Sequence, residues 1–261
     1  MLKRVLITGG AQRLGALLCR TFAHAGWEVW CHYQHSGDVA HALVEELRSA
    51  GFAAYAVRAD LRVEAQRASM LEQVVAQGGA LHCLVNNASM FAEDRATGLD
   101  MDLVRSQLEV NLIAPLSLSA LVAARLPPDA QAGDCSIIHV LDQKVFNLNP
   151  DYFSYTVSKL ALERSVALQA QALAPRVRVC GVAPGLMFIS GPQTQDNFER
   201  SGKVNLMQTA LDPQRVAQSV LFLAENPCIT GVTLAVDNGQ HLVPLTRDVM
   251  FALADNGTPA T

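Results

Sequence analysis

Val5-Leu6-Ile7-Thr8-Gly9-Gly10-Ala11-Gln12-Arg13-Leu14-Gly15 passes from an apolar run, through a glycine turn, into a helical pattern. Leu14, Leu17, Leu18, Phe22 and Ala25 recur at three- and four-residue spacing, so the turn separates a strand from an amphipathic helix. Glycines let a backbone approach a pyrophosphate, and a helix start offers free amide donors with a favourable dipole. The turn is thus a candidate dinucleotide site, with Gly9, Gln12, Arg13 and Leu14 against the cofactor. Taken alone, an ordinary strand-to-helix connection explains the glycines equally well.

Working outward, the alternation repeats. Strands are expected at 5–8, 27–33, 53–57, 84–85, 137–141, 177–182 and 232–236. Helices are expected at 14–25, 38–50, 63–77, 103–125, 152–173 and 213–224. Several strands are apolar on both faces, which implies a parallel sheet covered on both sides. The expected fold is α/β: a single Rossmann-type doubly wound domain over 1–261, with seven parallel strands, helices on both faces and a ligand at the switch point. The one long connection, 187–203, follows the sixth strand on the ligand-binding edge and reads as a substrate loop. A tail follows at 245–261; Leu245, Val249, Met250 and Phe251 make it too apolar to be left in water.

Composition narrows the function. With 261 residues, 50% hydrophobic, the chain can build one sizeable core. The formal net charge of -4 and the lack of a basic run offer no footprint for nucleic acid or an anionic membrane. Six scattered cysteines, with no Cys-x-x-Cys, read as buried free thiols in a reducing compartment, so a cytoplasmic location is expected. No signal peptide and no stretch long enough to span a bilayer are expected. The histidines and carboxylates have no zinc-like spacing, so no metal is expected.

The chemistry is concentrated between residues 142 and 159. Tyr155 and Lys159 are four apart at the start of a helical pattern and share one face. An ammonium beside the phenol favours the phenolate, which would make Tyr155 an acid or base usable near neutral pH. On a solvated helix face the same pair occurs without chemistry, so its meaning depends on what accompanies it.

Thr8-Gly9 with Gly15, Asn86-Asn87-Ala88, Asn111, Tyr155-x-x-x-Lys159 and Pro184-Gly185 together resemble, in order and spacing, the short-chain dehydrogenase/reductase family over nearly the whole chain. The resemblance implies that Tyr155 is the acid/base, that Lys159 binds the nicotinamide ribose and tunes Tyr155, and that Asn111 holds a proton-relay water. It also implies cofactor contacts from Asn87, Ala88, Pro184 and Gly185, and from Asp60 and Leu61 after the third strand. Asp60 is equally readable as a helix cap. By the same resemblance the two long helices pair across subunits, so a homotetramer is expected, with the tail packed on a neighbour and Arg247 near that neighbour's site.

Two departures from the family pattern resemble the pteridine reductases. Arg13 stands where a glycine is usual, and Asp142, thirteen residues before Tyr155, replaces a serine that orients a carbonyl. Asn86 to Phe91 and His32-Tyr33-Gln34-His35-Ser36 resemble that subfamily too. Phe91, beside Ser89, is placed to stack a flat heterocycle, or else folds into the core. Arg13 is placed to reach the pyrophosphate and a pterin carbonyl, or is a surface arginine at a helix start. Asp142 beside Tyr155 is placed to deliver a proton to a ring nitrogen, or is a solvated loop aspartate. The segment after the second strand has no acid for ribose hydroxyls, which favours NADPH over NADH, with His35 and Ser36 at the 2′-phosphate. The expectation is NADPH-dependent reduction of a dihydropterin, or of dihydrofolate, at a ring C=N. A ketone or 3-oxoacyl reductase and a non-catalytic NADP-binding regulator are the alternatives.

Overall fold

The computed structural model of the protein describes residues 2–191 and 193–253. Seven strands, β1 (Arg4–Ile7), β2 (Glu28–Tyr33), β3 (Ala54–Arg58), β4 (Cys83–Asn86), β5 (Cys135–Val140), β6 (Val177–Pro184) and β7 (Thr233–Val236), form one parallel sheet. Their order is β3-β2-β1-β4-β5-β6-β7. The chain winds outward from β1 to one edge, then returns to β4 and winds to the other. That reversal splits the connections after β1 and β4 apart and opens a crevice at the strands' carboxyl ends.

The helices follow from apolar periodicity. α1 (Arg13–His24), α2 (Gly37–Ser49) and α8 (Pro213–Glu225) bury Leu14, Leu18, Phe22, Leu43, Leu47, Val216 and Val220 with Val5 and Ile7 on one face of the sheet. On the other face α3 (Glu64–Ala76), α5 (Ala114–Ala124) and α6 (Phe153–Leu173) pack Met70, Leu71, Leu118, Val122 and Val166 onto Leu6, Trp30 and Leu84. Consecutive residues of β1 thus enter opposite cores, because side chains alternate along a strand. All residues of β1, β4, β5 and β6 are buried, as a sheet covered on both sides requires.

Two expectations are corrected. The helix expected at 103–125 runs Met101–Ala124 as α4 (Met101–Leu108), a π turn (Glu109–Ile113) and α5. By length and composition alone it would cross a bilayer, contrary to the reading of the sequence. Within the fold, however, Ala114, Leu118 and Val122 are packed on the sheet. Second, the 187–203 connection carries a helix of its own, α7 (Gln195–Ser201), with Thr194 capping its start. The described part of the tail makes contacts within its own chain: α9 (Val249–Ala252) sets Met250 against Tyr152 and Tyr155, and Asn197 of α7 donates to the Met250 carbonyl at 3.0 Å. Arg247 pairs with Asp151 of the same chain at 2.8 Å, since burial of Met250 and Phe251 draws the segment inward. Residues 254–261 of the tail lie outside the described residues.

Two histidines sit inside the sheet. His139 of β5 has no solvent exposure, and its ring nitrogens lie 3.2 and 3.1 Å from the side-chain amides of Asn86 and Gln169. His32 of β2 accepts the Gly9 N–H at 3.0 Å on Nδ1 and faces the Ala59 carbonyl at 3.1 Å with Nε2. Burial holds both neutral, with pKa values pushed down to about 4. An unfolded histidine near 6.5 binds a proton that the folded one refuses, so their contribution is intact above pH 6.5 and is lost as pH falls through 4. Thermal melting between pH 7 and 4 should therefore show a falling midpoint. His139→Gln should make that slope shallower whatever its own stability, and an unchanged slope would exclude the histidine.

Candidate active site

The crevice at the switch point is a cavity of about 620 Å³. Its floor is the glycine turn. Gly9 adopts φ +61, and a Cβ there would press on Ala88 at 3.0 Å. Gly15 is the tighter position, since a Cβ would lie 2.0 Å from the Gly9 carbonyl oxygen. Thr8 ties the turn to the end of β4: its hydroxyl accepts the Asn87 and Ala88 amides at 2.9 and 3.0 Å and donates to the Val85 carbonyl. The Asn87 side-chain amide returns bonds to the Thr8 and Gly9 carbonyls. His32 holds Gly9 from the other side, so both flanking strands fix one backbone turn. The amides at the start of α1 then face the cavity, as an anionic ligand requires.

Above that floor lie the reacting groups. Asp142 directly follows Leu141 at the end of β5, while Tyr155 and Lys159 project from the first turns of α6, which stacks against the strand. The Tyr155 hydroxyl donates to Asp142 Oδ2 at 2.8 Å, and the Lys144 amide donates to Asp142 Oδ1 at 2.8 Å. Burial raises the Asp142 carboxyl above the ordinary carboxylate range, against the pull of Lys144. Burial, reinforced by the Asp142 charge, holds the Tyr155 phenol well above its usual value. Lys159 donates to the Val140 carbonyl at 2.8 Å, its ammonium is 5.8 Å from the Tyr155 ring centre, and burial lowers it to about 8. The phenol is therefore held protonated by its carboxylate partner. The lysine-stabilised phenolate expected from spacing alone is outweighed, because the nearer charge is negative.

An aromatic wall closes one side. Phe91, 38% exposed, stacks on Tyr152 at 4.0 Å between ring centres and meets Tyr155 edge-on at 4.7 Å. Ser89 lines the cavity beside it. Arg13, in the left-handed region at φ 52, turns back over the opening, where its guanidinium lies over the Phe188 ring and donates to the Ile189 carbonyl. It stays exposed, held over the opening and not turned to the floor.

Gly9, Gln12, Arg13, Leu14, His35, Leu61, Asn87, Ala88, Ser89, Phe91, Asp142, Tyr155, Lys159, Pro184 and Gly185 all line this one cavity. Three expected residues do not. Ser36 precedes α2 without capping it through its side chain. Asp60 is held by Arg62 at 2.7 Å, which lowers its carboxyl to about 2. Asn111 is fully buried: Oδ1 accepts the Met90 amide and Ser89 hydroxyl, and Nδ2 donates to the Met90 carbonyl and Ser158. Its side chain is saturated by protein groups and positions the Ser89–Met90 loop. It sits within the π turn, a deviation from helix found often beside functional sites.

Several lining residues escaped the sequence reading. Arg62 is the cation beside His35 and Gln34 that the second strand's end lacked. It arrives from the loop after β3, adjacent to the expected Leu61, and its charge was the available signal. Asp248 and Val249 had none, because the fold brings them from a distant position, and Lys144, two residues after Asp142, stands in no pattern of its own.

A family model for short chain dehydrogenases matches residues 3–200. The dihydromonapterin reductase of Citrobacter koseri is 27% identical over 239 residues, covering 91% of this chain and 96% of that protein. That of Escherichia coli strain K12 is 25% identical over 238 residues, with the same coverage. A crystal structure of FolM alternative dihydrofolate reductase 1 from Brucella canis, complexed with NADP, superposes with TM-score 0.88 at 36% identity, covering 94% of this chain and 96% of that one. The Brucella suis counterpart, also with NADP, gives 0.87 at 37% identity, covering 92% and 95%.

The contact at Gly15 yields a direct test of the cradle. Gly15→Ala must push the turn apart, and it should cost about 3 kcal/mol, the upper range of overpacking, seen as a lower melting temperature. Unchanged melting would mean that the turn has room that these distances deny.

Proposed function

Because the chain belongs to the short-chain dehydrogenase family, we propose that it is an NADPH-dependent pteridine reductase, taking a dihydropterin or dihydrofolate to the tetrahydro form. The carrying observation is the 2.8 Å hydrogen bond from Tyr155 to a half-buried Asp142 whose carboxyl is raised by its desolvation. The relatives named as dihydromonapterin reductases and the NADP-complexed Brucella structures support the same reading.

The residues fit the cofactor. The turn tied by Thr8, Asn87 and His32 presents amides to a pyrophosphate, and Gly9 and Gly15 keep that surface free of side chains. Arg62, His35 and Gln34 gather at one end of the cavity, where a 2′-phosphate needs donors and a cation. Lys159 and Tyr155 stand at the other end for the nicotinamide ribose. When bound, NADPH supplies the hydride for a ring C=N carbon.

The remaining work is to place a flat ring and protonate its nitrogen. Phe91 offers an aromatic face held in position by Tyr152. Asp142 and Tyr155 share a proton across their hydrogen bond. The raised carboxyl donates toward the ring nitrogen, and Tyr155 or a bound water refills it. A ketone leaves a developing oxyanion beside the donor, and Asp142, once it has given up its proton, would oppose that charge. Cavity-lining Met187, Phe188 and Ser190 begin the 187–203 segment and form the substrate wall in this reading. We also propose a cytoplasmic homotetramer, supported by exposed apolar residues on the long helices, among them Ile113, Val157 and Leu168. Light scattering showing a stable monomer would overturn the assembly.

NADPH oxidation with dihydromonapterin, dihydrobiopterin, dihydrofolate and simple ketones tests the activity. A pterin should win, and a ketone winning by orders of magnitude would overturn the assignment. Tyr155→Phe should lower turnover by roughly 10²-fold or more with NADPH binding retained. Asp142→Ser should lower pterin turnover and raise that of ketones. Binding constants should favour NADPH over NADH, and Arg62→Ala should narrow the gap.

A further inference from the structure

Lys144 is an unusual buried cation. Its side chain is 3% exposed and spends all three donors inside the protein, on Asn149 Oδ1 at 2.9 Å, the Asp151 carbonyl at 3.1 Å and Asp248 Oδ2 at 3.0 Å. The Tyr152 ring lies 5.3 Å away. Its backbone amide, meanwhile, is the donor to Asp142 Oδ1. One residue thus touches Asp142 with its amide and the C-terminal segment with its ammonium. Asp248 is fixed as firmly. Its Oδ1 accepts the Met250 amide at 3.1 Å, its own amide donates to Asp151 Oδ2 at 2.8 Å, and Asp151 in turn takes both bonds from Arg247 Nε. A buried ion pair contributes little net stability relative to apolar packing, so its retention beside a reacting group calls for another use.

We propose that the Lys144–Asp248 ion pair is a positioning device that sets the protonation of Asp142, by holding one positive charge from its own loop and one negative charge from the C-terminal segment at fixed places beside it. The groups facing Asp142 are few. Tyr155 and Lys159 come from α6, Lys144 from the loop after β5 and Asp248 from the tail, with Arg247 and Asp151 neutralising each other behind. The ammonium favours the carboxylate and Asp248 opposes it, the same two opposing influences that act on the Asp142 carboxyl. Docking of the tail therefore completes the acid. With Asp248 in place the pull of Lys144 on Asp142 is partly offset, whereas Lys144 left alone would favour the carboxylate more strongly. Neither residue need touch the reacting atoms. The consequence for turnover rests on the reading of Asp142 as proton donor, but the effect on the carboxyl does not.

The two single substitutions must act in opposite directions, which a merely structural anchor would not do. The titration of Asp142 can be followed by carbon-13 NMR of aspartate-labelled full-length protein, assigned with Asp142→Asn and read without substrate. Lys144→Met should move its midpoint up by about one pH unit and Asp248→Asn down by about one, the scale of one neighbouring charge in a dry site. The double variant should return near the wild type, and Lys144→Arg should match it. With dihydropterin and NADPH, the pH at which turnover falls should move the same way, because the donor is lost as pH rises through the Asp142 midpoint. Shifts in one direction for both variants, no shift, or a double variant no nearer the wild type would overturn the proposal. If Lys144→Met does not fold, Lys144→Gln carries the same prediction. An absence of pterin turnover in the wild type would remove the functional reading alone, since the carboxyl titration still decides the ion pair.

Discussion

A carboxyl taken out of water next to a phenol governs this site. Half-buried at the cavity wall, Asp142 has lost part of the hydration that would ionise it cheaply, and the Tyr155 hydroxyl 2.8 Å away replaces only part of what water gave. Burial and the Asp142 charge hold the phenol protonated, while the phenol's hydrogen bond favours the carboxylate and only burial and Asp248 oppose it. The geometry follows from the fold, because Asp142 ends the β5 segment and Tyr155 opens the helix stacked on that sheet. A shift of either element by an ångström would break the bond and leave a charge buried without compensation.

The cofactor end depends on a different constraint, the close approach of backbone to backbone. The Gly15 Cα must pass the Gly9 carbonyl, and the turn is pinned from both neighbouring strands by Thr8, Asn87 and His32. These groups spend their polar atoms on one another and so hold the start of α1, whose first amides have no partner within the helix, in a fixed place. That rigidity is useful for an anion, which gains from donors that need no reorganisation on binding. Arg13 and Arg62 add cationic charge at the margin, one turned over the opening and the other held beside Asp60.

The polar interior around the tail joins these two ends to the surface. Asn111, Gln107 and Ser154 tie the long helix to α6, while Lys144, Asp151, Arg247 and Asp248 tie the tail to the loop that carries Asp142. Each of these groups is satisfied by its neighbours, and buried networks specify a unique arrangement when every member is satisfied. Met250 and Phe251 supply the apolar contact that keeps the segment in place against Tyr152 and Tyr155.

Sequence alone determined the strand and helix alternation, the doubly wound order, the glycine turn and the cluster around Tyr155. Those features are local: a period of 2 or 3.6, a glycine where a backbone must pass, and two side chains four apart on a helix. Even the replacement of a hydroxyl by Asp142 was legible, because its meaning lay in a fixed distance along the chain from Tyr155. Tertiary structure alone decided the electrostatics. Spacing suggested that Lys159 would govern Tyr155, yet Asp142 is the nearer charge, and only packing shows which of two neighbours is closer. Nor does any local pattern place Arg62 beside His35, saturate Asn111, or bring Asp248 to Lys144 across 104 positions. Such contacts join residues whose separation in sequence carries no information about their separation in space, and the dielectric that gives them their strength exists only once the core has closed.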